Sequence, residues 1–156
     1  MLEVKLEVEG LDDIQKLLAK LPKELDTEMQ RSMRFAVQLV RGEIAEYPAA
    51  TAANMPGGYS WYERGFGTRT RTGLAYPTSE NLGRSWTTQV RSGMADWRGI
   101  VGTNVSYAGF VQGEEQAGFH GARGWKKAGD VLAGKAAAIK RLFQAALGRL
   151  VRKMSR

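Results

Sequence analysis

A chain of 156 residues with 43% hydrophobic and 25% charged side chains has the size and balance of one folded domain, not of a disordered chain. Zero cysteines exclude a disulfide framework, a thiolate metal site and a cysteine nucleophile. No apolar run approaches the ~20 residues that cross a bilayer, and the chain opens on a charged alternating segment in place of a signal peptide. A soluble protein made in the cytoplasm, without a membrane partner, is expected.

The net charge of +7 is unevenly spread: residues 1–30 hold eight acidic and four basic groups, whereas residues 123–156 hold ten basic groups and one acidic. Such polarity suits nucleic-acid binding, and it equally suits head-to-tail complementarity between copies of one protein.

Leu2, Val4, Leu6 and Val8 alternate with Glu3, Lys5, Glu7 and Glu9, the period of a half-buried strand with an acidic outer face. After Gly10 the spacing of Leu11, Ile14, Leu17, Leu18 and Leu21 predicts a helix that Pro22 interrupts. A second helix follows on the stripe Leu25, Met29, Met33, Ala36, Val37, Val40 and Ile44, ending near Tyr47 because the residue before Pro48 is pushed out of helical torsions.

Residues 48–82 show no sustained period, with three prolines, five glycines and five of the chain's fourteen aromatic residues. A connection of that length is generally a functional loop or a disordered one. The rings of Tyr59, Trp61, Tyr62, Phe66 and Tyr76 argue for function, although they can also fold back on their own domain.

Alternation resumes over 84–91, and two short runs at 97–103 and 105–112 are rich in β-branched and aromatic residues, which predicts a three-stranded meander. The last element is a helix beginning near Asp130. Ile139, Leu142, Phe143, Ala146, Leu147, Leu150, Val151 and Met154 form its apolar stripe, with Arg141, Arg149, Arg152 and Arg156 on the far side. The expected class is α+β: a mixed or antiparallel sheet of about four strands, packed by the long helix of the N-terminal half and by the C-terminal amphipathic helix. The long loop at 48–82 belongs to the same single domain, 1–156.

Catalytic patterns are weak. The one histidine, His120, sits between Phe119 and Gly121 without a second histidine or cysteine to share a transition metal. Neither a nucleophile elbow nor a phosphate-binding glycine loop is present, and Glu114-Glu115 reads as a solvated turn. No enzyme activity, metal or cofactor is expected. Nucleic-acid binding stays open, since basic helix faces neutralise phosphates and aromatic side chains stack on bases.

Three stretches resemble, in order, the neck or tail-completion protein family of long-tailed double-stranded-DNA bacteriophages. Residues 8–18 match its opening strand, glycine-leucine-acid turn and first helix. Thr72-Gly73-Leu74 and residues 81–86 match its passage from the long loop into the sheet, and residues 101–111 match its glycine, short turn, tyrosine-alanine and valine strand pair. The chain departs from the family pattern at Gln112, where a glutamate usually follows the valine, and in an aromatic-rich insertion around 59–66.

The resemblance implies a structural virion protein of the tail or neck, assembled in the host cytoplasm: a homo-oligomeric ring, sixfold by analogy with neighbouring neck components. Its partners would be the tail terminator, head connector and tail tube, with DNA only as cargo passing through the lumen. A ring joins unlike surfaces of neighbouring copies, and opposite charge helps them meet. The expected interface residues are the acidic strand residues Glu3, Glu7 and Glu9 facing Arg141, Arg149 and Arg152, together with the loop anchors Tyr59, Trp61, Tyr62, Phe66, Arg69 and Arg71.

Overall fold

The computed structural model describes residues 2–6, 23–48, 60–63, 67–70, 75–76, 80–92 and 96–154. In chain order the elements are β1 (Leu2–Leu6), α1 (Lys23–Ile44), β2 (Ser60–Glu63), β3 (Gly67–Thr70), β4 (Ala75–Tyr76), α2 (Asn81–Arg84), β5 (Thr87–Ser92), β6 (Trp97–Thr103), α3 (Ala108–Gln112), α4 (Gly118–Ala122) and α5 (Ala128–Met154). The fold is α+β, and the helix expected over 11–21 lies outside the described residues.

The main sheet has three strands, not about four, in the order β1-β6-β5, and every pairing is antiparallel. Two expectations explain the missing strand. Residues 105–112 form a turn and the helix α3, because Ala108, Val111 and Gln112 are the residues that become buried, and that spacing is helical. Residues 81–84 form α2, so the strand expected from Arg84 starts only at Thr87. Within the expected loop 48–82, β2, β3 and β4 make a second small antiparallel sheet in that order.

Alternation places Val4, Trp97, Val101 and Thr103 inside, and Glu3, Lys5 and Arg98 outside. α1 lies on the inner face with Leu25, Met29, Met33, Ala36, Val37, Val40 and Ile44 buried. Full burial of the leucine, methionine, valine and isoleucine side chains contributes about 1.5–3 kcal/mol each. Gly99 permits a close approach: a Cβ there would stand 2.6 Å from Val37 Cγ1 and 2.7 Å from Met33 Sδ. The Trp97 indole donates to Asp26 Oδ1 at 2.8 Å, fixing the first turn of α1 over the sheet.

α5 completes the core with Val131, Ile139, Phe143, Ala146 and Leu150. It runs antiparallel to α1, because the ion pairs between them match the start of one helix with the end of the other. Glu43 meets Lys126 and Lys135, Glu28 meets Arg149 at 3.2 Å and Glu24 meets Lys153 at 3.0 Å. Val151, expected in the apolar stripe, is instead 65% exposed.

Candidate assembly interface

Residues 105–127 form a short helical module that is locked from beneath and open above. Below, Ala108 and Val111 pack with Leu82 in a small second core, alongside half-buried Val105 and Trp125. The Ala117 N–H donates to Phe110 O at 2.9 Å, tying α4 to α3. The Gln116 amide donates to Val111 O at 2.7 Å and Trp125 O at 2.9 Å. The bonds to Phe110 O and Val111 O occupy carbonyls that a five-residue helix cannot satisfy by itself.

Gln112 joins this module to the rest of the fold. It is 1% exposed and donates to Ile44 O at 2.8 Å and Lys126 O at 3.4 Å, while its Oε1 accepts the Trp86 indole N–H at 3.3 Å. Two donated bonds and one accepted bond use both ends of an amide. A glutamate carboxylate would accept from Trp86 but could donate to neither carbonyl, which accounts physically for glutamine at this position.

Above, three aromatic rings stand in solvent: Tyr107 at 46%, Phe110 at 59% and Phe119 at 57% exposure. Tyr107 and Phe110 are three residues apart across the start of α3, and Phe119 lies on α4, which the Ala117–Phe110 bond ties to α3. The Arg123 guanidinium carbon lies 5.7 Å from the Phe119 ring centre, within cation–π range. Glu114 and Glu115 are exposed between the two helices. With aromatic side chains presenting roughly 150–250 Å² each, the three rings together leave on the order of 300 Å² of apolar surface in solvent.

His120 belongs to the same module. Its ring centre is 4.0 Å from that of Phe119, and its buried Nδ1 meets no hydrogen-bond partner among the described residues. Burial, and secondarily the neighbouring Arg123 charge, lower its pKa from the ordinary histidine value.

Of the interface residues expected from sequence, Glu3 is exposed on β1 and pairs with Lys5 at 3.6 Å; Glu7 and Glu9 lie outside the described residues. Arg141, Arg149 and Arg152 are all exposed on α5, but Arg149 is turned toward Glu28 of its own chain. Trp61 and Tyr62 fall in β2, where Trp61 is paired in register with Arg69 of β3; Tyr59, Phe66 and Arg71 lie outside the described residues. Tyr107, Phe110 and Phe119 are not among the expected interface residues. The i, i+3 spacing of Tyr107 and Phe110, about 100° around α3 from buried Ala108 and Val111, becomes informative only once 108–112 is read as a helix.

A second exposed apolar pair, Phe35 and Leu39, lies on α1 with Arg31 5.9 Å from the Phe35 ring centre. Near the other end of the helix pair, a groove of about 280 Å³ is lined by Lys23, Glu24, Thr27, Glu28, Arg149, Leu150 and Lys153. Its two glutamates already face Arg149 and Lys153, which leaves Lys23 as the further cation of the lining. No protein-family model, no curated protein and no solved structure matches this chain.

Proposed function

We propose that the chain is a structural subunit of the neck or tail of a long-tailed double-stranded-DNA bacteriophage, assembling with copies of itself into a ring, sixfold by analogy, for tail completion and head–tail joining. The observation that carries this reading is the set of exposed rings on a module whose backbone is tied down from below. Interface centres are rich in aromatic residues, and a pre-ordered surface loses little freedom on binding. The ordered resemblance in the sequence supplies the biological setting, with the tail terminator, head connector and tail tube as partners and DNA passing through the lumen.

Purified protein, alone and mixed with tail-less heads, tests the reading. Higher-order species in sedimentation velocity and restored infectivity of heads mixed with tails are expected. Removing residues 57–67 is expected to spare folding and abolish joining; loss of the folded state would place that segment in the core instead.

One observation favours a second reading, a small basic nucleic-acid-binding protein: α5 carries no acidic side chain after Asp130 and shows Lys140 and Arg141 to solvent. Phosphate-driven binding falls steeply with salt, so duplex affinity of the monomer that drops on the order of a hundredfold or more between 50 and 200 mM salt would favour it.

A further inference from the structure

The helical module at 105–127 encloses the one imidazole of the chain, that of His120. Its ring is half-buried and lies 4.0 Å from Phe119 between centres, and its buried Nδ1 has no hydrogen-bond partner among the described residues. The same residue is the centre of the local backbone bonding. Its N–H donates to Ala117 O at 2.8 Å, and its carbonyl accepts from the N–H groups of Arg123 at 3.1 Å and Trp125 at 3.2 Å. Trp125 in turn meets the Tyr47 ring edge-on at 4.9 Å, which joins the module to the chain just after α1.

A neutral imidazole can carry its proton on Nε2 and leave Nδ1 bare, whereas an imidazolium carries one on each nitrogen. Protonation therefore places a donor and a charge at a buried atom without an acceptor, which is costly. The surrounding charges do not offset that cost. Arg123, of the same sign, bears on the ring and stands over Phe119. α3 brings no charged residue. Between α3 and α4, the Glu114 carboxylate lies against Gly129 at the start of α5, and Glu115 is exposed. On the other side, Lys126 is drawn to Glu43 of α1 and half-buried Lys127 is a further cation.

We propose that acidification unlatches this module: a proton on His120 Nδ1 opens the α4 turn while the main sheet and the two long helices stay folded. Opening gives up the bonds centred on His120 and the hold of Trp125 on Tyr47. The device goes beyond the assembly reading and does not depend on it, because it belongs to the single chain. Its sign follows from linkage. Burial and then Arg123 lower the His120 pKa in the closed module, so the closed form is favoured above the ordinary value of 6.5 and loses that preference as pH falls below it.

With one histidine in the chain, its imidazole signals in nuclear magnetic resonance are unambiguous. They are expected to show the Nε2–H tautomer at neutral pH and a titration midpoint below 6.5, raised in R123Q. Hydrogen exchange, corrected for the intrinsic pH dependence of amides, is expected to rise on the order of tenfold at Arg123, Gly124 and Trp125 between about pH 7.5 and about pH 5, with α1 and α5 unchanged. H120Q, which takes up no proton in that range, is expected to show no such rise. A wild-type profile as flat as that of H120Q overturns the proposal, because the ring then turns in place without opening α4. A rise in H120Q equal to wild type overturns it by assigning the titration to another group, and a rise shared equally by α1 and α5 does so by showing global loss of stability. A chain that never leaves the monomer would sink the assembly reading and leave these amide rates to decide the switch.

Discussion

Gln112 shows how one side chain carries structure between elements. Its amide serves the carbonyl at the end of α1, the carbonyl of Lys126 before α5 and the indole of Trp86. Replacing it with leucine keeps the volume but strands those groups in a dry site, so Q112L is expected to lower stability by about 1–3 kcal/mol, read as a lower urea midpoint at an unchanged slope. Q112E, which retains only the accepted bond, is expected to fall at least as far; a midpoint equal to wild type would show the network to be dispensable. Glu43 is a second case. The hydrogen bonds it accepts from Lys126 and then Lys135 hold its pKa down, to about 2 from an ordinary value of 4.5. A carboxylate depressed in the folded state adds stability above its unfolded pKa and loses it as pH falls through the folded value. E43Q is therefore expected to be less stable than wild type by on the order of 1 kcal/mol at neutral pH, a modest figure because these lysines are partly solvated. The difference should close between about pH 4.5 and 2 in thermal melts; a difference independent of pH would remove the ion pairs as its source.

Among the elements, the long helices are legible in the sequence and the short ones are not. α1 and α5 span 22 and 27 residues, enough turns for an apolar period to stand clear of chance. α1 starts directly after Pro22 and stops three residues before Tyr47, and α5 begins two residues before Asp130. α3 has five residues, too few to display a period, and its valine, phenylalanine and flanking tyrosine suit a strand equally well. What decides it is Leu82, a distant residue against which Ala108 and Val111 turn inward. The exposed rings depend on that same decision, so their role as a surface is hidden until the helix is known. Gly99 makes a similar point for the sheet. Valine is the better strand former, yet G99V is expected to destabilise by about 1–3 kcal/mol, because its first carbon already meets Met33 and Val37 at under 3 Å. A calorimetric melting temperature at or above wild type would mean that α1 shifts aside at little cost.

At the scale of the molecule, the charge asymmetry seen along the chain is partly consumed within it. The acidic first turns of α1 draw Arg149 and Lys153 back onto their own chain, and Glu3 is answered locally by Lys5. Arg149 is therefore a poor probe of contacts between copies, since R149E would also break a pair inside the fold. Lys140, Arg141 and Glu115 are among the charges left exposed, and self-association that uses such charges is expected to weaken as salt is raised from 50 to 500 mM, with the Debye length falling to a few ångströms. Sedimentation profiles that do not change with salt would assign the attraction to the apolar surfaces alone.

The unlike contacts of the proposed ring bear on how growth stops. When a patch meets a different patch, every added copy presents a fresh acceptor, so nothing in the monomer terminates the chain of additions. Only the turn between successive copies decides whether the last docks on the first or the series runs on as a fibre. Overproduced without its neighbours, the protein should be judged by electron microscopy for filaments as well as for closed particles.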